Sequence, residues 1–308
     1  MTVSTEWRTV ATGLRFPEGP VALDDGSVLV VEIERGTLSR VQPDGTVEVA
    51  AQCGGGPNGA AIGPDGEVWI TNNGSCFEYI DLGGVLVPGP VPPDWSGGSI
   101  QKVDLKTGTV ETIYTECDGR PLRAPNDLVF DAHGGFWFTD HGVRLERSSD
   151  RTGVFYAAAD GSSIREVLFP LDAPNGVGLS AAGDHLYVAE THTGRVWSWD
   201  IPEPGVAVGS GLLAPHGDLL CGLPGHQLLD SLAVDGDGWV CVGTLVNGGI
   251  TAISPDGSAV EHHPIDDLLV TNICFGGPEG NTAFVTSSGT GRLLAATWPR
   301  PGLALNYA

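Results

Sequence analysis

Six side chains that offer oxygen recur along the sequence, each opening an apolar run: Glu18, Asn58, Asn126, Asn175, Asp230 and Asn272. Each is followed eight residues later by a glycine, namely Gly26, Gly66, Gly134, Gly183, Gly238 and Gly280. The chain holds 46 glycines in 308 residues, so six such coincidences at one fixed offset would arise by chance on the order of once in 10⁵ tries. The sequence is therefore a repeat array, and one column of it consists of potential cation or hydrogen-bonding ligands.

The repeat unit reads as strand, glycine turn, strand. Around Asn126 the chain runs Asn126-Asp127-Leu128-Val129-Phe130-Asp131, turns through Ala132-His133-Gly134-Gly135, and returns as Phe136-Trp137-Phe138-Thr139. A second hairpin at Pro43-Asp44-Gly45 gives four strands between Glu18 and Ala50. The spacings of 40, 68, 49, 55 and 42 residues between successive column positions fit the roughly 40 to 50 residues of a four-stranded propeller blade. The expected fold is all-β, a six-bladed β-propeller formed by residues 1–308 as one domain. The last unit, Thr271 to Leu305, is short of an outer strand, and the segment Glu6 to Ala11 is expected to supply it, closing the ring and removing an exposed edge.

Two stretches break the period. Gly83 to Gly98 (GGVLVPGPVPPDWSGG) is too rich in proline and glycine to read as strand and is expected to be a loop that could serve as a lid. Pro202 to Gly225 is also loose, with Val206 and Leu212-Leu213 as candidates for an outer strand.

Composition limits the function. A formal net charge of −23, with only 15 Lys and Arg, argues against nucleic acid or an anionic membrane as a partner and suits solubility. No run approaches eighteen apolar residues and the start MTVSTEWRTV lacks a signal pattern, so a cytoplasmic protein is expected. Cys53, Cys76, Cys117, Cys221, Cys241 and Cys274 show no CxxC spacing, and buried structural thiols are expected rather than a zinc or redox site. Neither a Gly-x-Ser-x-Gly elbow nor a His-Glu-x-x-His motif occurs.

A propeller would gather the six column residues around its central channel at one mouth. The second strand of each unit returns to that mouth, bringing Glu32, Asn72-Asn73, Asp140-His141, Glu190-Thr191-His192, Asn247 and Ser287-Ser288. Any single asparagine in a Pro-Asn-Gly context could be a turn residue. Glu18 and Asp230 differ, because two carboxylates near one axis repel unless a cation lies between them. Carboxylate and amide oxygens are the ligand set of one hard divalent cation: Ca²⁺ is the first choice, with Mg²⁺, Mn²⁺ or Zn²⁺ behind.

The segments FPEGP (Phe16 to Pro20), APNDLVFDAHGGFWFTD (Ala124 to Asp140), PNGVGLSAAGDHLYVAET (Pro174 to Thr191), DSLAVDGDGWVCVG (Asp230 to Gly243) and TNICFGG (Thr271 to Gly277) resemble the regucalcin/gluconolactonase family of lactonases. The resemblance implies a divalent cation at the channel mouth and hydrolysis of a small-molecule lactone or ester. It implies metal ligands Glu18, Asn175 and Asp230, with Asp230 also as general base, and Asn126 beside them. Asn58, Asn73, Asn126, His141 and His192 share the mouth and are expected to contact substrate, the histidines as possible proton-transfer partners. Ala124 stands where sugar-lactone members carry an arginine, with Arg123 one step back, which weakens the case for a polyhydroxylated sugar lactone. Ser231 replaces a more usual glycine. A non-catalytic binding platform and another metal-dependent esterase or lyase remain as alternatives.

Overall fold

In a computed structural model, which describes residues 1–213 and 215–307, six antiparallel sheets follow one another as the blades of a propeller, and no helix occurs among the described residues. The innermost strands are Pro17–Ala22, Pro57–Ile62, Pro125–Phe130, Pro174–Leu179, Leu228–Val234 and Val270–Gly276. Each carries one of the six column residues near its start. The glycines eight residues on sit in the hairpin turns with φ between 67° and 83°, a region that side chains with a Cβ avoid. That is the physical origin of the repeat.

The core lies between blades, because each second strand is buried on both faces. Along Val28–Glu32, Leu29 and Val31 pack against Val68, Ile70 and Val103 of the next blade, while Val28 and Val30 pack against Phe284, Leu293 and Ala295 of the last. This is the two-residue alternation of a strand, used twice over. The same arrangement recurs around the ring, with Trp69 and Ile100 against Phe136 and Phe138, and Trp137 against Val188 and Trp199.

The ring closes as the sequence suggested. Arg8–Thr12 pairs antiparallel with Arg292–Thr297 as the outer strand of the last blade. At the end away from the mouth, the C-terminal segment crosses the inner strands, with Leu303 N–H donating to Val234 O at 3.3 Å and Asn306 Nδ2 to Phe130 O at 2.9 Å.

Three expectations need correction. Gly83 to Gly98 is not all loop, since Leu86–Pro88 pairs with Tyr79–Asp81 across a turn made by Gly83 and Gly84, both at positive φ. In the fourth blade Leu212 and Leu213 are 94% and 83% exposed and form no strand. The added strand is Asp218–Gly222, which pairs with Arg195–Glu203 beside Val206–Val208. All six cysteines are free, but Cys221 and Cys274 are only half-buried.

Candidate metal and active site

The six column residues stand at one end of the channel, five of them buried and Asp230 half-buried. Glycines bring the inner strands close: a Cβ on Gly19 would lie 2.7 Å from Asn58 O, and one on Gly176 2.5 Å from the Leu232 nitrogen. Side-chain hydroxyls tie blades together at three of the junctions. Thr71 Oγ1 donates to Asn126 O, Thr139 Oγ1 to Asn175 O at 2.5 Å, and Ser288 Oγ to Pro17 O at 2.5 Å.

Within this frame Glu18 Oε2 accepts from Gly19 N–H at 2.5 Å and Asn272 Nδ2 at 2.7 Å. Its other oxygen, Oε1, is buried with no hydrogen-bond partner among the described residues, and so is Asn126 Oδ1. Two orphaned acceptors at one mouth are unusual, since buried oxygens are nearly always paired. Asn175 is fixed by its Nδ2 donating to Thr191 Oγ1 at 3.2 Å and by Ser231 Oγ donating to its Oδ1 at 3.3 Å. An amide oxygen accepts twice, so a lone pair remains. The Ser231 departure thus adds a donor to the Asn175 oxygen.

Burial raises the Asp230 carboxyl well above the usual carboxylate range, and the neighbouring Glu18 charge adds to this, while the Asn175 amide offsets part. Burial also raises Glu18, against the hydrogen bonds from Asn272 and Gly19. Both carboxylates are uncomfortable as anions where they stand, which is the electrostatic condition that a cation relieves. Among the described residues no cluster of three or more His, Cys, Asp or Glu has metal-binding geometry; the oxygen set here is two carboxylates with amides, and it fits a hard cation.

Sequence reasoning missed a third buried carboxyl. Asp127 follows the column residue of its blade where Gly19, Gly59 and Gly176 follow theirs. Burial first and the Glu18 charge second push it up to about 8. Its Oδ1 accepts from Leu128 N–H at 2.9 Å and its Oδ2 from Val177 N–H at 3.4 Å. An acid in a glycine column was the available signal.

The second tier does other work than expected. Glu32 Oε2 accepts from Arg15 N–H at 2.7 Å, Asn72 Oδ1 from Gly56 N–H at 2.9 Å, Asp140 Oδ1 from Ala124 N–H at 2.7 Å, and Glu190 Oε1 from Asp172 N–H at 2.8 Å. Each holds the inter-blade segment that leads into its own column residue. These side chains set backbone. Asn73 accepts from Cys76 N–H at 3.2 Å and its buried Nδ2 has no partner among the described residues. His141 and His192 meet edge to face at 5.8 Å, burial pushing His192 down to about 4 and lowering His141 as well. Among the described residues no hydrogen bond joins either histidine to Asp230. Asn58 is buried beside Gly19. Asn247 lies out on a turn, where its Nδ2 meets His262 Nε2 at 3.3 Å.

Comparison with known proteins bears on this arrangement. A gluconolactonase from Zymomonas mobilis is 26% identical over 93% of this chain and 80% of its own length. The lactonase drp35 of Staphylococcus saprophyticus is 29% identical over 80% of this chain and 67% of its own. Among solved structures, a gluconolactonase from Xanthomonas campestris superposes with a TM-score of 0.76 at 20% identity, covering 96% of this chain and 90% of that one. A calcium-binding regucalcin from Agrobacterium tumefaciens gives 0.74 at 15% identity over 99% of both chains. The SMP-30/Gluconolactonase/LRE-like region matches residues 16–289, and the chain belongs to that family.

Proposed function

We propose that this protein is a divalent-cation-dependent lactonase, with the cation held at the channel mouth. The observation that carries this reading is the pair of raised carboxylates, Glu18 and Asp230, beside the unpartnered Glu18 Oε1 and Asn126 Oδ1. The lactonase names of the Zymomonas and Staphylococcus relatives support the reaction class.

Glu18, Asn175 and Asp230 would hold the ion, with Ca²⁺ the first choice from the oxygen-only donor set. When bound, it supplies polarisation of a lactone carbonyl and charge stabilisation for the oxyanion of the tetrahedral intermediate. Asp230 is the general base: of the two column carboxylates it is half-buried where Glu18 is buried, so it can take a proton from an attacking water. Gly19 N–H and Asn272 hold one oxygen of Glu18 and leave the other facing its ligand. Asn126 offers its orphaned Oδ1 to the ion or to a substrate hydroxyl. His141 and His192, kept neutral by burial, line the rim between the third and fourth blades and contact substrate there.

Purified protein should be assayed on five- and six-membered lactones, hydroxylated and alkyl-substituted, with Ca²⁺ and with chelator. Turnover with Ca²⁺ that chelation abolishes is expected, and alkyl lactones should be favoured because Ala124 replaces the family arginine. No turnover on any lactone with any of the four cations would reject the reading.

A further inference from the structure

The extra length between the second and third column residues is folded, and it reaches over the mouth. Tyr79–Asp81 and Leu86–Pro88 form a hairpin that leaves the second blade and crosses to the first and last. Leu86 is buried against Phe16 and Ile33, with Leu269 packed alongside, and its N–H donates to Gly289 O at 2.8 Å. Further along the same excursion, Trp95 Nε1 donates to Asn73 O at 2.9 Å, and the Arg123 guanidinium stacks 4.5 Å from the Trp95 ring. Arg123 is held in turn by Asp150 at 2.9 Å. The cover is thus fastened at several points, by backbone as well as side chains, and its position is set by packing.

Fastening places one polar group that packing does not explain. The Tyr79 ring lies 4.9 Å from that of Phe16, two residues before Glu18. Part of the residue touches solvent, yet its hydroxyl oxygen is buried and has no partner among the described residues. A buried tyrosine hydroxyl normally finds one. Burial, the largest influence, raises the phenol well above its usual value, with Cys76, Asp230, Glu18 and Glu34 adding to it in that order. It is therefore a neutral donor at the rim of an acidic site, without an acceptor of its own.

Resting on the lactonase reading, we propose that the Tyr79 hydroxyl is a substrate-binding donor, which hydrogen-bonds an oxygen of the lactone held between Glu18 and Asp230. It donates without giving up its proton, and its ring forms, with Phe16, an apolar wall over the same substrate. The cover accordingly belongs to the site as a fixed part of the binding surface.

The test compares wild type with Tyr79→Phe, which keeps the packing on Phe16 and removes only the donor. An unchanged melting temperature checks the fold. On the lactones that wild type opens, kcat/KM should fall about tenfold to hundredfold, the worth of a hydrogen bond to a developing charge. The placement has a separate readout: Tb³⁺ bound in place of Ca²⁺ should show emission sensitised by the neighbouring phenol, falling by half or more per bound ion in Tyr79→Phe. A variant within twofold of wild type in kcat/KM, or with unchanged emission per bound ion, overturns the proposal. A wild type that opens no lactone removes the function proposed above, and the Tb³⁺ comparison alone then decides on Tyr79.

Discussion

Asn272 donates through Nδ2 to Glu18 Oε2 at 2.7 Å, joining the last column residue of the ring to the first across 254 positions of sequence. The bond fixes which Glu18 oxygen is free. With Oε2 shared by Asn272 and Gly19 N–H, Oε1 is the one left for a ligand, so the last blade sets the geometry offered by the first.

Replacing Asn272 by leucine should therefore weaken cation binding although Asn272 is not an expected ligand. Loss of an orienting partner typically costs tenfold or more in metal affinity, and about 1–2 kcal/mol of stability should go with the lost buried hydrogen bond. Calcium titration calorimetry and urea unfolding of the variant check both. Unchanged affinity would mean that Glu18 is oriented by Gly19 alone.

Cation removal should destabilise the fold. An ion at about one hundred times its Kd contributes roughly 2.7 kcal/mol by mass action, which in a chain of this size corresponds to roughly 4 °C in melting temperature. Calorimetric scans with chelator, then with Ca²⁺ restored, measure it. Identical scans under chelator and under excess Ca²⁺, Mg²⁺ and Mn²⁺ would leave the carboxylate pair without its proposed occupant.

The column residues and their glycines were legible because the same backbone problem is solved six times. A left-handed turn needs glycine, and each inner strand begins with a side chain that offers oxygen near the axis. Ring closure by Arg8–Thr12 followed from the missing outer strand. The second tier misled because position does not give direction: Glu32, Asn72 and Asp140 stand fourteen residues after their column partners, at the mouth, but turn to backbone N–H groups. The Tyr79 hairpin was obscured by composition. Its turn uses two glycines and its second strand ends at Pro88, so the segment reads as loop, while its order comes from packing on Phe16 and Ile33 in other blades. Leu212 and Leu213 failed in the opposite way, as apolar residues that no blade needs to bury.

Between pH 7 and pH 4, acid should destabilise the protein through His263. Burial is the main cause that pushes this imidazole down to about 4, Glu261 opposing and Arg300 adding; its ring lies 4.2 Å from Trp298, and Thr5 Oγ1 is 2.7 Å from its Nδ1. A base depressed on folding contributes stability that is fully present above its unfolded value of about 6.5 and is lost as pH falls toward 4. The shift is worth roughly 3 kcal/mol at most. Urea midpoints measured between pH 7 and pH 4 should fall, and His263→Gln should flatten that fall. An equal slope in the variant would assign the acid sensitivity elsewhere.

Catalysis should separate the two carboxylates. Asp230→Asn retains an oxygen for the ion, so metal affinity should drop only modestly, yet lactone turnover should fall by about 10² or more, the usual worth of a general base. Glu18→Gln should act chiefly through metal binding, because Glu18 is buried and held by Gly19 and Asn272, out of reach of an attacking water; added cation should rescue much of its activity. Steady-state rates at saturating Ca²⁺ discriminate the two. Near-normal turnover in Asp230→Asn would move the base role to His192, the rim group whose low pKa, about 4, leaves it neutral and able to accept a proton at neutral pH; Glu190 is not a candidate, since its oxygens are already engaged by Asp172 N–H, Thr193 and Trp197.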